Sequence, residues 1–311
     1  MAPSKKIFSC VLLPLLFTCL QASASSEPCS ETAFAPDAGA SGNAPLAEKI
    51  ATVACTIKHV FQSRVRYHKT LEPVDMTVGS PPMISDDTGT PGDRRWEINL
   101  SANGDFAGDT HRIEAPLLDI NYGVGDALQL KFEIPYVFLA NRDDNAADPQ
   151  AVKRAHGVGD STLGIKYRFY DNKDTGLSLA LYPQVRFRTP GANRAVSEEK
   201  TVVILPLLLT REFEMASITT NVGVVHGDKS RYFASIGAGT RLSNQLALLG
   251  EIVGNNLNAR DERQILLNLG VRRKLSETRS ISASIGHDIQ AGGDRPLHRY
   301  FSVSFQQMLG D

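Results

Sequence analysis

Lys131 and Glu133, Lys166 and Arg168, and Arg186 and Arg188 are charged pairs separated by a single residue. Gln129 and Gln184 stand two residues ahead of the first and third pairs, and Asn268 and Arg272 repeat the polar theme further on. Spacing by two puts both members of a pair on one face of an extended strand. Charges sharing a strand face line a surface or a conduit; covalent chemistry needs an activated nucleophile held by a base. His287-Asp288 offers an acid–base pair, but no serine nucleophile motif accompanies it. Gly157-Val-Gly-Asp160 has the glycines of a phosphate loop, yet the residues after it alternate with period two, so no helix N-terminus follows to hold a phosphate. The seven histidines are scattered without metal-ligand spacing. No catalytic, cofactor or metal site is therefore expected, and the chain does not read as an enzyme.

The polar pairs require strands to position them. Between Ala127 and Val137 the alternation is almost unbroken: Leu128, Leu130, Phe132, Ile134 and Tyr136 are apolar, with Gln129, Lys131 and Glu133 between them. The same pattern returns to the C-terminus in twelve segments: 96–103, 111–122, 127–137, 161–170, 176–188, 201–211, 213–225, 231–243, 246–254, 264–273, 279–288 and 299–305. Their lengths suit tilted bilayer crossings of roughly 9–11 residues, and an even count suits a bacterial single-chain barrel. Prolines 116, 135, 183 and 206 fall inside segments and predict bulges or ladder breaks, since proline cannot donate. Pro183 and Pro206 lie on consecutive segments and predict one shared defect.

Connection lengths sort by side. With a periplasmic N-terminus, the periplasmic turns are 123–126, 171–175, 212, 244–245 and 274–278, all short. The outer loops are 104–110, 138–160, 189–200, 226–230, 255–263 and 289–298, mostly longer. Trp96, Tyr122, Tyr167, Phe169 and Phe305 gather at one set of segment ends, and Tyr136, Phe187, Tyr232, Phe233, Tyr300 and Phe301 at the other. Two aromatic girdles at the two interfaces are expected of a membrane barrel.

The N-terminus supplies the export route. Lys5 and Lys6 precede an apolar run containing Pro14, and Ala22-Ser23-Ala24 makes a cleavage site, so residues 1–24 read as a signal peptide. Cys19 gives only a poor lipoprotein site. Removing Lys5 and Lys6 takes the formal charge from −1 to −3, which excludes a nucleic-acid binder's balance. With 42% hydrophobic and 22% charged residues, composition fits a soluble protein and a polar-lumen barrel equally. Cys29 and Cys55 survive cleavage and are candidates for one disulfide in an oxidising compartment, the alternative being two unrelated thiols.

Residues 25–93 read as a periplasmic N-terminal segment, and 94–311 as the barrel. Leu46, Ile50, Val53, Ile57, Val60 and Phe61 predict a helix over 45–67 with a basic end, either complementing its own dipole or acting as a lid or plug. Residues 71–93, rich in proline and glycine, read as a linker or loose cap.

The run Ala115-Pro-Leu-Leu-Asp-Ile-Asn-Tyr-Gly-Val-Gly-Asp126, then Leu128 to Tyr136, and the run Gly157-Val-Gly-Asp-Ser-Thr-Leu-Gly-Ile-Lys-Tyr-Arg-Phe169 resemble a family of outer-membrane proteins labelled as a phenol-degradation, meta-pathway transporter. The resemblance spans roughly residue 96 to the C-terminus. It implies a transporter and carries no catalytic residues. One departure is the C-terminus: Phe301, Val303 and Phe305 alternate as a terminal barrel strand should, but residues 306–311 follow.

The expectation is an all-β fold: an antiparallel transmembrane β-barrel of about twelve strands with a short periplasmic helix, porin-like, in a Gram-negative outer membrane. Its lumen-lining candidates are Gln129, Lys131, Glu133, Lys166, Arg168, Gln184, Arg186 and Arg188. Expected partners are outer-membrane lipid and lipopolysaccharide, the barrel-assembly machinery and a small solute, with no nucleic acid, no cofactor and a monomeric state. Passive uptake of small, hydrophobic or aromatic compounds is the leading function. A structural or adhesive barrel with a filled lumen, and a secreted soluble β-protein, are the alternatives.

Overall fold

Strands alternating between apolar and polar can bury either set, and here the polar set is inside. A computed structural model describes residues 83–142, 152–197, 200–293 and 295–310. Among them 28 polar or charged residues are buried against 13 apolar ones, while Leu130, Ile165, Ile236, Ile252 and Leu269 are exposed. That inversion is stable only where lipid replaces water around the outer surface. The predicted helix at 45–67, the signal and Cys29 and Cys55 lie outside the described residues.

The strands are β1 (Trp96–Ala107), β2 (Thr110–Val124), β3 (Leu128–Arg142), β4 (Val152–Val158), β5 (Asp160–Asn172), β6 (Leu177–Leu181) and β7 (Gln184–Arg188). After these come β8 (Val202–Glu212), β9 (Ala216–His226), β10 (Ser230–Arg241), β11 (Leu246–Asn255), β12 (Gln264–Ser276), β13 (Arg279–Ala291) and β14 (His298–Leu309). All neighbouring pairs are antiparallel, and β1 pairs with β14 from Trp96↔Leu309 to Ala107↔His298, which closes the sheet. Fourteen segments build twelve walls, because β4 and β5 both pair with β3, and β6 and β7 both lie between β5 and β8. A closed antiparallel sheet leaves no unpaired edge in the bilayer. The twelve predicted segments correspond one to one with these walls.

The prolines set the interruptions. β2 shifts register between Glu114 and Leu117, around Pro116. The β4–β5 break falls at Gly159, whose N–H donates to the Pro135 carbonyl at 2.9 Å. The β6–β7 break falls at Tyr182 and Pro183, where the Tyr182 N–H donates to the Pro206 carbonyl at 3.1 Å. Pro183 and Pro206 thus share one defect, although β8 itself runs through Pro206 unbroken.

Loop expectations need correction. The short turns 125–127, 173–176, 213–215, 242–245 and 277–278 do sit at one end. At the other end the predicted loops 104–110 and 226–230 are tight turns, because β1, β2, β9 and β10 extend into them. The predicted loop 138–160 is mostly strand: β3 continues to Arg142, and β4 returns from Val152. Lys153 and Arg154, adjacent on β4, fall on opposite faces of that strand. β14 likewise passes Phe305 and reaches Leu309, opposite Trp96.

The girdles are partly as predicted. Trp96 and Tyr122 meet outside at 4.5 Å between ring centroids, and Tyr167, Phe169, Phe305 and Tyr232 are exposed. Phe233 and Tyr300 instead face inward, sharing the faces of buried Ser235 and Ser302. Phe233 lies over Gly223, where an added Cβ would come within 2.6 Å of its ring. Their positions in the strands, odd against even, decide this, and aromatic content alone does not carry it.

Candidate functional site

Residues 83–93, read from sequence as linker or loose cap, form an inner strap. The strap crosses the lumen on the short-turn side, with Met83, Ser85, Asp87, Thr88 and Pro91 buried and Ile84 exposed. A chain inside a barrel must satisfy its backbone donors with inward side chains. On one wall, both oxygens of Glu251 accept N–H groups, from Ile84 at 2.7 Å and Ser85 at 2.8 Å. Asn268 donates to the same carboxylate at 2.9 Å. Asn221 next accepts the Asp86 N–H at 2.8 Å and donates to the Asp86 carbonyl at 2.7 Å, imitating a strand neighbour. The Thr88 N–H donates to the Thr210 hydroxyl at 3.1 Å. On the facing wall, the Lys166 ammonium donates to the Gly89 carbonyl at 3.2 Å and lies 3.7 Å from Asp87. The Thr90 hydroxyl then bonds the Asp126 carbonyl in the β2–β3 turn. The chain enters β1 by packing Gly92 against Gly123, where an added Cβ would sit 1.8 Å from the Gly92 carbonyl oxygen.

Beside the strap is an ionic cluster from β1, β2 and β3. Lys131 lies 2.8 Å from Glu133 and 3.7 Å from Asp119. Asn99 and Asn121 each donate to Asp119 at 3.1 Å, and Gln129 donates to Asn121 at 2.6 Å. Gln129 also reaches the Tyr182 hydroxyl at 3.3 Å, and Lys166 stands 4.7 Å over the Tyr182 ring. Tyr182 itself packs with Ala180 and Leu208 in a small apolar patch inside the barrel.

Of the eight residues expected to line the lumen, Gln129, Lys131, Lys166 and Gln184 are buried and Glu133, Arg168, Arg186 and Arg188 half-buried, and they do different things. Lys131 is shared between Glu133 and Asp119. Lys166 holds the strap. Arg168 turns to the short-turn rim, where it donates to the Asp126 carbonyl at 2.6 Å and approaches Asp171 at 3.4 Å. Gln184 is buried on β7, and Arg186 and Arg188 continue its face towards the long-loop end, half-buried. Loop 189–197 folds inward at that end: Val196 is buried, and its carbonyl accepts from Arg112 at 3.3 Å.

Between the two walls, next to the strap, is a cavity of about 220 Å³. Asp86, Asp87, Lys166, Arg168, Glu97 and Arg272 line it, among others. That volume is below the roughly 300–1,000 Å³ typical of pockets for drug-sized ligands. Both signs of charge face it, so it suits small polar or amphipathic solutes and no single ion. Among the described residues no cluster of three metal-ligating side chains forms.

Sequence reasoning missed the strap and its holders. The signal for Glu251 was available: it is the one acid in the otherwise small and apolar segment Leu246–Asn255. The signal for the strap was weaker, a polar Ser85-Asp-Asp-Thr88 run set among prolines and glycines.

An inverted, closed, twelve-walled antiparallel sheet with a polar lumen defines the class: a transmembrane β-barrel of the outer-membrane type. Residues 85–302 match the family described as "Putative MetA-pathway of phenol degradation", and the chain belongs to that family. No curated protein matches the sequence. In fold the chain is similar to an outer membrane channel from Pseudomonas putida F1, with a TM-score of 0.55 and 13% identity over 77% of this chain and 100% of that one. It is also similar to the KdgM porin, with a TM-score of 0.49 and 9% identity over 68% of this chain and 100% of that one.

Proposed function

We propose that this barrel resides in the outer membrane and passes small solutes passively through its lumen, hydrophobic or aromatic compounds among them. The observation that carries this reading is the space of about 220 Å³ beside the strap, lined by Glu97, Lys166, Arg168 and Arg272 from the strands and by Asp86 and Asp87 from the strap. Tyr182 is the one aromatic side chain lining this space, and it is backed by Ala180 and Leu208. Half-buried Arg186 and Arg188 give the long-loop vestibule a positive wall that attracts anionic forms of such solutes. Family membership agrees with a role in handling phenolic compounds. The test is reconstitution. Liposome swelling and planar-bilayer conductance should detect a narrow permeability, and a barrel silent in both overturns the proposal. Fractionation checks the location: detergent-only extraction and heat-modifiable migration are expected, and a freely soluble periplasmic protein is not.

One observation favours a second reading. The strap and the Lys131 cluster fill much of the short-turn half, as in a barrel whose lumen is structural. A surface or adhesive role would then fall to the long-loop end. Replacing residues 143–151 with a glycine–serine linker separates the two, since transport should persist and adhesion should vanish.

A further inference from the structure

The outward side chains sort unevenly around the long-loop rim. The register carries one row across six neighbouring strands: His287 pairs with Arg299, Arg299 with Phe106, Phe106 with His111, His111 with Ala140, and Ala140 with Arg154. The row beneath it runs Ile285, Phe301, Gly104, Ile113, Phe138 and His156. Both rows share the face of the exposed apolar belt, and His287, Arg299, His111 and Arg154 are themselves exposed. Neighbouring strands lie ≈ 4.7–4.9 Å apart, so Arg299, His111 and Arg154, two strands apart in turn, repeat at about 10 Å.

An aromatic platform fills the interval between the first two. Phe301 lies flat on Gly104, where an added Cβ would come within 2.1 Å of its ring. Phe106 stacks on Phe301 at 5.8 Å, and His111 meets Phe106 edge-on at 5.3 Å. Nearby carboxylates are engaged elsewhere: Asp109 pairs with Arg142 at 3.0 Å, and Asp105 turns inward to His298 at 2.8 Å. Among the described residues no ion pair neutralises Arg299, Arg154, His111 or His287. On the far arc of the same rim, Val203 pairs with His226, and that imidazole is bonded to Ser230 at 2.9 Å.

We propose that this row is a binding site for the phosphorylated sugar headgroup of an outer-leaflet glycolipid. A sugar ring packs on the Phe106–Phe301 platform. One phosphate is held by Arg299 and the second, one interval of about 10 Å along the row, by His111 together with Arg154, whose long side chain reaches in from the far side. The acyl chains run down over Ile285, Ile113 and Phe138. Arginines at a membrane interface meet any headgroup; cations repeating at a fixed interval beside a flat aromatic floor favour a ligand with two anions joined through rings. The site rests on outer-membrane residence with the long loops outward, and it does not require the lumen to conduct.

The full chain, purified in detergent, is titrated by native mass spectrometry with bis-phosphorylated lipid A, with the same lipid A dephosphorylated, and with phosphatidylglycerol. The bis-phosphorylated form should bind roughly tenfold more tightly than the other two, because charge-assisted contacts to its second phosphate are unavailable to them. Combining Arg299→Gln, His111→Gln and Arg154→Gln should remove that roughly tenfold preference while heat-modifiable migration is retained. Combining Arg211→Gln, Arg273→Gln and Arg279→Gln, cations at the opposite rim, should leave it intact. Equal binding of all three lipids by the wild type overturns the proposal without any variant. Undiminished preference in the first triple variant overturns it too. Conductance recorded on the same preparation reports on the channel separately, so failure of one reading leaves the other standing.

Discussion

The wall of β2, β3, β5, β6 and β7 and the wall of β9 to β14 face each other across one lumen and are built from different chemistry. The first is ionic: Asp119, Lys131, Glu133 and Lys166 are clustered and bonded to one another or to the strap. The second is small and mostly neutral: Thr219, Ser235, Ser282, Ser284, Ser302 and Ser304 face inward, with Glu251 bound to the strap's backbone. The difference teaches how one lumen can be both held and open. Charges cost several kcal/mol each to bury unless they are paired, so Asp119 and Glu133 gather around Lys131 and Asp87 lies beside Lys166. Serines and threonines take little room, so the wall carrying them leaves space for the strap, whose Ser85 hydroxyl bonds Ser235 at 2.8 Å.

Four variants would break or sharpen this contrast. Lys131→Met strands Asp119 and Glu133 in the ionic wall and should cost about 3–5 kcal/mol, read by guanidinium unfolding in lipid vesicles. Adding Asp119→Asn and Glu133→Gln should recover most of it; a loss no larger than that of a neutral serine would mean the two walls do not differ energetically. Glu251→Ala removes the acceptor of the buried Ser85 amide and the half-buried Ile84 amide and should cost about 2–3 kcal/mol. It should also free the strap, raising conductance and exposing residues 83–90 to protease, whereas Glu251→Gln, which keeps an acceptor, should do less. Ser304→Ala loses the 2.8 Å bond with Ser101 and should cost about 1 kcal/mol, with conductance unchanged. Smallest in energy, Arg186→Ser with Arg188→Ser should shift the ion permeability ratio roughly threefold towards cations, since vestibule charges act through a screened aqueous field. Reversal potentials in a salt gradient measure that shift, and Ser284→Ala on the opposite wall should produce none.

Much of this was legible in the residues. Period-two alternation located every wall, and the same arithmetic put Gln129, Lys131, Glu133, Lys166, Arg168, Gln184, Arg186 and Arg188 on the strand faces opposite the apolar rows. Pro116, Pro135 and Pro183 marked the irregularities because a missing N–H breaks a ladder wherever it falls. Strand ends were less legible. β3 and β4 pair past Val137 through Leu139, Ala140 and Asn141, whose pattern resembles a loop until a partner strand is present. The division of the lining was not legible at all. Whether Lys166 faces water or grips a carbonyl depends on where Gly89 lies, far away in sequence and close in space.

The sequence by itself determined the class: inside-out strands in even number, closed by hydrogen bonds that lipid cannot supply. Tertiary structure alone decided what the lumen holds. Residues 83–93 have no pattern of their own, being neither alternating nor helical. Their conformation is dictated by Glu251, Asn221, Thr210 and Lys166, four side chains brought around them only once the sheet has closed.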